Sequence, residues 1–179
     1  MSSSFSLPDG TDWVSRVVQR AATNMDRYHG CTQTLIDAFL NELEIDAPGA
    51  LKSAGGMMAG LMVSETCGIH TAGMMILGLI MGREDISQGM DGVWPIVAPG
   101  QRLMIDLTRA LGSASCRELT DVDFTDLNQA LAYMSGDGHH QCVARVKTGA
   151  LIIAEHMTRL HRSGELFTPE VKTSTSDSP

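Results

Sequence analysis

The chain has 179 residues, a net charge of −8, 43% hydrophobic residues and 19% charged residues. This length fits a single domain, and the balance of apolar and charged residues is typical of a folded globular protein. Nucleic-acid binding needs clustered Lys and Arg, so an acidic chain with no basic stripe argues against a nucleic-acid partner. The most apolar stretch, residues 69–81, is shorter than the roughly 20 residues of a membrane-spanning helix, so we expect no membrane insertion.

The N-terminal residues predict a cytoplasmic location. Residues 1–10 do not contain a basic segment followed by an apolar one, which is the pattern of a secretory signal. In a reducing compartment permanent disulfides are rare, and reactive thiols more often bind metals or take part in redox chemistry. We therefore expect free thiols.

The first half of the chain shows helical periodicity. Residues 12–29 carry one apolar stripe that ends before Gly30, and residues 31–43 carry a second. Pro48 starts a short third helix, which a pair of glycines at 55–56 interrupts. Each stripe predicts a helix with one buried face.

The second half of the chain is also helical. Residues 67–82 are apolar on almost every side, which predicts a central helix, and the small residues within it allow close packing: Gly68, Ala72, Gly73, Gly78. After the turn-rich stretch 89–100, apolar spacing predicts helices near 103–111 and 123–134. The last long helix, 142–160, has apolar residues at alternating spacings of three and four.

No segment alternates polar and apolar residues long enough to predict a strand. The sequence therefore predicts an all-α fold, a compact single-domain bundle of about five to seven helices, over residues 11–163. Residues 1–10 are predicted to be a flexible N-terminus. Residues 164–179 are polar and without periodicity, and we predict a disordered tail there.

The chain contains four cysteines that lie far apart in the sequence: Cys31, Cys67, Cys116 and Cys142. Polar or glycine-containing residues of the kind found at helix ends precede each of them. The pattern predicts three of them at helix starts, at positions 31, 67 and 142, and places Cys116 in the loop after Gly112. A helix N-terminus favours the thiolate, which binds metals and exchanges disulfides, so we predict that the sulfurs meet at one site.

The cysteine spacing excludes some familiar sites. No CxxC pair is present, so the zinc-ribbon and thioredoxin-type patterns are absent from the sequence. His70 lies three residues after Cys67 on nearly the same helix face, where it can contact a metal or a cluster sulfur, or can be a core histidine. The roles of three further histidines stay open: His29, His139 and His140. His156 and His161 are predicted to lie on the surface.

Four segments carry a resemblance to a known family. Residues 63–85 resemble the central motif of the redox-active proteins named for the cysteine pattern C-GCAxxG-C-C. Residues 30–35, 111–119 and 142–146 are similar to the segments around the other family cysteines, in the same order. The resemblance covers roughly residues 12–162.

The resemblance implies a redox function. A related cysteine domain occurs in split-Soret-type cytochromes, where it is associated with an iron–sulfur centre. By this resemblance the cofactor is an iron–sulfur cluster of unspecified nuclearity. His70 is atypical of the family pattern, and its place three residues after Cys67 makes it a candidate ligand or outer hydrogen-bond partner. The ligands that the resemblance implies are the four thiolates: Cys31, Cys67, Cys116 and Cys142.

Three functions remain open from the sequence. The first is a redox protein or electron-transfer subunit with an iron–sulfur cluster, and the second is a thiol–disulfide protein that cycles cysteine pairs. The third is a helical interaction module with a structural zinc site or no metal. A redox partner protein is expected, and the apolar residues 57–62 together with the central helix suggest a homodimer. Whether the protein is an enzyme is open.

Overall fold

The computed structural model describes residues 7–8 and 10–166, and within them it has eight α-helices and no β-strand. The all-α prediction is confirmed, with a helix count slightly above the expected five to seven. The helices, in chain order, are α1 (Asp12–Tyr28), α2 (Cys31–Glu42), α3 (Pro48–Ser53), α4 (Gly68–Met81), α5 (Trp94–Leu111), α6 (Cys116–Thr120), α7 (Leu127–Ser135) and α8 (Gly138–Ser163).

The five long helices close around one core. Helix α1 packs on α2 and α8, α4 packs on α2 and α5, and α5 packs on α8. Helix α4 also contacts α8, and most of its residues are buried, so the predicted central helix is found in the structure. The α4–α8 contact depends on Gly149 of α8, because a Cβ there would clash with Ile69.

Helix α5 begins earlier than the sequence predicts. It starts at Trp94, inside the stretch 89–100 that is rich in turn residues, and Pro95 lies in its first turn. Proline is tolerated there because the first N–H groups of a helix have no intrahelical partner. Pro99 lies further inside and gives up one helical hydrogen bond. Both prolines signal a turn in the sequence although the chain is helical.

The segment 54–66 between α3 and α4 is irregular. It contains a short 3₁₀ turn, Ala54–Met57, and then four non-glycine residues with left-handed backbone at φ of 51° to 66°: Ala59, Leu61, Met62 and Ser64. Such residues cost roughly 1–2 kcal/mol each in backbone strain. Two hydrogen bonds to this segment hold it, from the Glu65 N–H to the Gly60 carbonyl and from the Phe124 N–H to the Ser64 hydroxyl.

Packing at the chain ends reaches slightly beyond the predicted limits of the helical domain. Leu7 and Leu166 belong to the core, and the Glu165 carboxylate pairs with Arg102. The rest of the predicted flexible N-terminus and disordered tail, residues 1–6, 9 and 167–179, lies outside the described residues. Over the part that is described, none of the helices has both the length and the apolar character of a membrane span.

The surface prediction for His156 is wrong. The side chain is 2% exposed, and its Nδ1 lies 3.3 Å from Arg159 Nη2. Burial lowers the pKa of His156, and the charges of Arg159 and Arg102 act in the same direction, while Asp106 acts against them. His161, one turn further along α8, is exposed as expected.

The lowered pKa predicts a pH-dependent stability. As the pH falls, the unfolded chain takes up a proton on this histidine near pH 6.5, before the folded protein does. The contribution of neutral His156 to the free energy of unfolding is therefore complete above pH 6.5 and is lost as the pH falls below it. We expect the fall in urea midpoint between about pH 7.5 and about pH 5 to be smaller in His156→Gln than in wild type. His161→Gln is the matched control and should keep the wild-type fall. Equal falls in all three proteins would contradict this prediction.

Candidate metal centre

All four cysteines line one pocket, which encloses about 100 Å³. They come from four different helices or helix caps, so the structure brings together side chains that are tens of residues apart. Cys67 and Cys116 are buried, and Cys31 and Cys142 are partly exposed. The rest of the wall is mainly apolar and includes Met25, Met58, Ile69, Phe124 and Val146.

A tight turn between α1 and α2 places Cys31. His29 and Gly30 both have left-handed backbone, with φ of 60° and 77°, so α1 ends and α2 begins within two residues. Cys31 is then the first residue of α2, as predicted. The Thr34 N–H bonds the Gly30 carbonyl, and the Thr34 hydroxyl donates to the Cys31 carbonyl at 3.1 Å, which completes the turn.

Two hydrogen bonds join the backbones that carry Cys67 and Cys116. The Cys67 N–H donates to the Ala114 carbonyl at 2.8 Å, and the Cys116 N–H donates to the Glu65 carbonyl at 2.6 Å. Thr66 and Ser115 thus form an isolated antiparallel bridge. The bridge lies at the start of α4, which Cys67 caps, and at the start of α6.

The loop position predicted for Cys116 is wrong, because Cys116 is the first residue of the short helix α6. The hydroxyl of Ser115 caps this helix by accepting the Glu118 N–H at 3.3 Å. Ser followed three residues later by Glu is a recognised helix-start pattern. This pattern was present in the sequence and could have located α6.

The predicted helix-start position of Cys142 is also wrong. Helix α8 begins at Gly138, so Cys142 lies one turn inside it. Its Sγ is 3.2 Å from the hydroxyl of Tyr133 on α7, a contact that the sequence did not reveal. Burial raises the pKa of Tyr133, so the phenol remains protonated and can donate to a thiolate at position 142.

Two glycines make room for the sulfurs. A Cβ on Gly68 would clash with Cys31 Sγ and Thr32 Oγ1, and a Cβ on Gly60 would lie 2.7 Å from Cys116 Cβ. Gly60 also has φ of +61°, a conformation that side chains disfavour. The walls of the pocket therefore depend on the missing side chains at these two positions.

Burial controls the charge state of the thiols. Burial and, after it, the charges of the neighbouring cysteines together raise the pKa of Cys67 and of Cys116 to about 12, and burial also raises the pKa of Cys31. The guanidinium of Arg145 lowers the pKa of Cys116. Without a cation the thiols of Cys31, Cys67 and Cys116 are protonated, and metal binding would deprotonate them because a coordinated thiol loses its proton.

Unpaired polar atoms gather at the same pocket. Among the described residues, six buried side-chain N or O atoms lack a hydrogen-bond partner, and buried polar groups normally have one. Three of these atoms belong to pocket-lining residues: His29 Nδ1, His139 Nε2 and Arg145 Nη1. A fourth, Thr32 Oγ1, lies next to Cys31 Sγ at the position that a Gly68 Cβ would fill. Such atoms suit a polar or charged ligand.

His70 makes a contact outside this pocket. It is fully buried, and its Nε2 lies 3.1 Å from the hydroxyl of Thr108 on α5. That hydroxyl donates to the Met104 carbonyl, so it accepts the Nε2 proton of His70. His70 is not one of the residues that line the cysteine pocket. A role as a ligand or outer partner of a cofactor stays a prediction.

The sulfurs are not close-packed. Within residues 10–166, no three of the cysteine sulfurs lie within 4.8 Å of one another. A single zinc ion with Zn–S bonds of about 2.3 Å and tetrahedral geometry would hold its sulfurs about 3.8 Å apart. The arrangement is therefore wider than a single zinc ion requires.

The family described as "Putative redox-active protein (C_GCAxxG_C_C)" has a model that matches residues 29–156. This match covers more than half of the chain and includes all four cysteines of the pocket. The chain belongs to this family. The resemblance seen in the sequence is thus confirmed. Comparisons with curated proteins and with solved structures find no match.

The close approach at Gly68 gives a test of the pocket. Gly68→Ala places a methyl group against Cys31 and Thr32, and such overpacking typically costs about 1–3 kcal/mol of unfolding free energy. Gly78→Ala on the same helix is the matched control: its Cβ would be 4.0 Å from Ile96, and the gain in helix propensity should stabilise by up to about 1 kcal/mol. Urea unfolding measures both. If the Gly68→Ala variant were as stable as the Gly78→Ala variant, the close approach of Gly68 to Cys31 and Thr32 would be contradicted.

Proposed function

We propose that the protein is a redox protein or electron-transfer subunit that holds an iron–sulfur cluster on Cys31, Cys67, Cys116 and Cys142. The observation that carries this proposal is the meeting of four thiols from four helices in one mainly apolar pocket. Thiolates are the usual ligands of such clusters, and four of them can hold a two-iron or a four-iron form. A cytoplasmic location belongs to the proposal, because a reducing compartment keeps these thiols free.

The size of the pocket supports a cluster over a single ion. The cavity of about 100 Å³ is several times the roughly 10–15 Å³ needed to admit one water molecule. A lone zinc ion would fill little of this space and would need the sulfurs to move closer together. A group of several iron and sulfide atoms bridges more widely spaced ligands.

The charge around the pocket supports an anionic ligand. Four thiolates around a cluster carry more negative charge than the metal core offsets, and burying uncompensated charge is costly. Arg145 supplies positive charge at the wall and has an unpaired Nη1, while Thr32 supplies an unpaired hydroxyl beside Cys31. When bound, such a cluster would supply one-electron transfer, at a potential that depends on these charges and hydrogen bonds.

A thiol–disulfide function is the second candidate. One observation favours it: two hydrogen bonds pair the backbone segments of Cys67 and Cys116, so the two cysteines stand diagonally on either side of the Thr66–Ser115 bridge and line the same pocket. In this function pairs of cysteines would form and break a crosslink, two electrons and two protons passing to a partner disulfide. Metal content separates this function from the first.

The partners are part of the proposal. A redox protein must meet a donor or acceptor, so we propose a protein redox partner. We also propose that the protein forms a homodimer, because three neighbouring apolar residues are exposed to solvent. Leu61, Met62 and Val63 expose 41%, 48% and 47% of their surface. Light scattering over a range of protein concentrations tests the dimer.

Iron, sulfide and zinc analysis tests the function directly. Protein purified or reconstituted without oxygen should contain iron and acid-labile sulfide in equal amounts and should show broad visible absorption. A colourless protein with bound zinc, or one without metal whose cysteines form disulfides reversibly, would overturn the cluster and support one of the alternatives.

Each cysteine should be needed for the cluster. Cys67 caps α4 next to the close approach at Gly68, so we expect Cys67→Ser to abolish the visible spectrum of anaerobically prepared protein. The serine variants of the other three cysteines should each lower the iron content. In a disulfide protein the variants would instead fall into pairs that lose the same crosslink. A folded Cys67→Ser variant with full iron content would exclude Cys67 as an essential ligand.

Tyr133 should adjust the potential of the cluster. Its hydroxyl lies 3.2 Å from Cys142 Sγ and would donate to a thiolate ligand there, and hydrogen bonds to ligand sulfurs stabilise the more negative, reduced form. Tyr133→Phe should therefore lower the reduction potential, as measured by spectroelectrochemistry, without loss of iron. Tyr28→Phe is the matched control, because Tyr28 is 66% exposed. Equal potentials in the two variants would contradict a role for Tyr133.

A further inference from the structure

A second group of metal-binding side chains lies beside the cysteine pocket. It contains Asp26 in the last turn of α1, and His139 and His140 in the first turn of α8. Asp26 Oδ1 is 3.5 Å from His139 Nε2 and 4.0 Å from His140 Nδ1. One donor atom from each of the three residues lies within 4.8 Å of the other two.

We propose that Asp26, His139 and His140 bind a divalent transition-metal ion at the rim of the cysteine pocket. This site uses none of the cysteines and does not depend on the cluster. Ligands of one ion at bonds of about 2.0–2.2 Å stand roughly 3–4 Å apart, so the three donors need only a small shift to reach a common ion.

The three donor atoms converge without hydrogen bonding to one another. The distances from Asp26 Oδ1 to the two histidine nitrogens, 3.5 Å and 4.0 Å, exceed the roughly 2.7–3.2 Å of a hydrogen bond. The His139 side chain is only 11% exposed, and its buried Nε2 has no hydrogen-bond partner among the described residues. An ion bound by all three residues would satisfy this atom.

A simple salt bridge explains the group less well. Asp26 alone fits its place, because a carboxylate is favourable near the N-terminus of α8. An imidazolium at the same helix start is unfavourable. Burial lowers the pKa of His139, and His29 and His140 act in the same direction, while Asp26 acts against them; the net lowering favours the neutral ring, which is the form that binds metals.

The donor set indicates the class of ion. Two imidazole nitrogens and one carboxylate oxygen suit Zn²⁺, Fe²⁺, Co²⁺ or Ni²⁺, whereas Mg²⁺ and Ca²⁺ prefer oxygen ligands. Three protein ligands leave at least one coordination position for water or substrate, as in catalytic zinc sites. Asp26 and His140 are 60% and 67% exposed, so this position faces solvent.

His29 connects this site to the cysteine pocket. Its ring meets the His139 ring edge-on, with centroids 4.7 Å apart, and both histidines line the pocket. His29 Nδ1 is also buried without a partner. The ion would therefore lie against the wall that the two sites share.

Cobalt titration tests the site because its spectrum distinguishes ligands. Thiolate-bound Co²⁺ gives intense near-ultraviolet charge-transfer bands, and Co²⁺ bound by nitrogen and oxygen does not. We expect anaerobic, reduced full-length protein to bind one Co²⁺ that adds no such bands, and Zn²⁺ to displace it; any Co²⁺ that the free cysteines bind is counted separately by its thiolate bands. Asp26→Asn and His140→Gln should weaken this binding by more than about 10-fold, since even outer partners contribute 10-fold or more.

His161→Gln is the control, because His161 is exposed at the far end of α8. It should bind Co²⁺ like wild type, and circular dichroism should show that all three variants are folded. Wild-type binding in both Asp26→Asn and His140→Gln, or cobalt found only with thiolate bands, would overturn the proposal. A protein that never assembles a cluster would leave this titration unchanged, so the two proposals fail separately.

Discussion

The structure depends on four sulfur atoms from distant parts of the chain meeting in one apolar pocket. As protonated thiols they are small apolar groups that can be buried at little cost. As thiolates they would repel one another in a medium of low polarity, which is why burial and mutual proximity raise the pKa of Cys67 and Cys116 so far. A cation among them removes this conflict. The protein thus forms a site that is stable with protons and would offer a strong ligand set to a metal that replaced them.

The backbone beside the pocket has strained conformations where it brings the cysteines together. Four non-glycine residues between 59 and 64 have left-handed conformations, and His29 has another at the α1–α2 turn. Strain of this kind persists where the surrounding structure enforces it, and it collects at functional sites. Here the strained segment carries Ala59, which lines the pocket, and Gly60, which lies against Cys116. A regular helix through these residues would carry a different set of side chains to the pocket.

Periodicity predicted most of the fold, because α1, α2, α4 and α8 each bury one stripe or are buried all round. Periodicity gave a wrong prediction where a single residue type indicated one local structure and the folded chain adopted another. Pro95 and Pro99 indicate turns but lie within α5. His156 is polar yet falls three residues after Ile153 and four before Leu160, on the buried face of α8, a spacing that could have revealed its burial.

The site was predictable only in part. The sequence identified the four cysteines, because each lies in a recognisable helix-end context, although α8 begins a turn before Cys142. It did not reveal Tyr133 beside Cys142, or Asp26 beside His139. The first contact requires α7 to fold back on α8, and the second joins residues of the first and the last helix. Such pairs follow from how helices pack, which periodicity within one helix does not specify.

The two groups of ligands differ in softness, and this difference separates their metals. Thiolates favour iron–sulfur clusters and soft ions, whereas imidazole and carboxylate favour borderline divalent ions. Because His29 and His139 line the cysteine pocket, a positive ion on His139 would act on the pocket from the same wall. Its charge would add to that of Arg145, and both would stabilise negative charge on the sulfurs. An ion at the rim would therefore favour the reduced form of a redox group held by the cysteines.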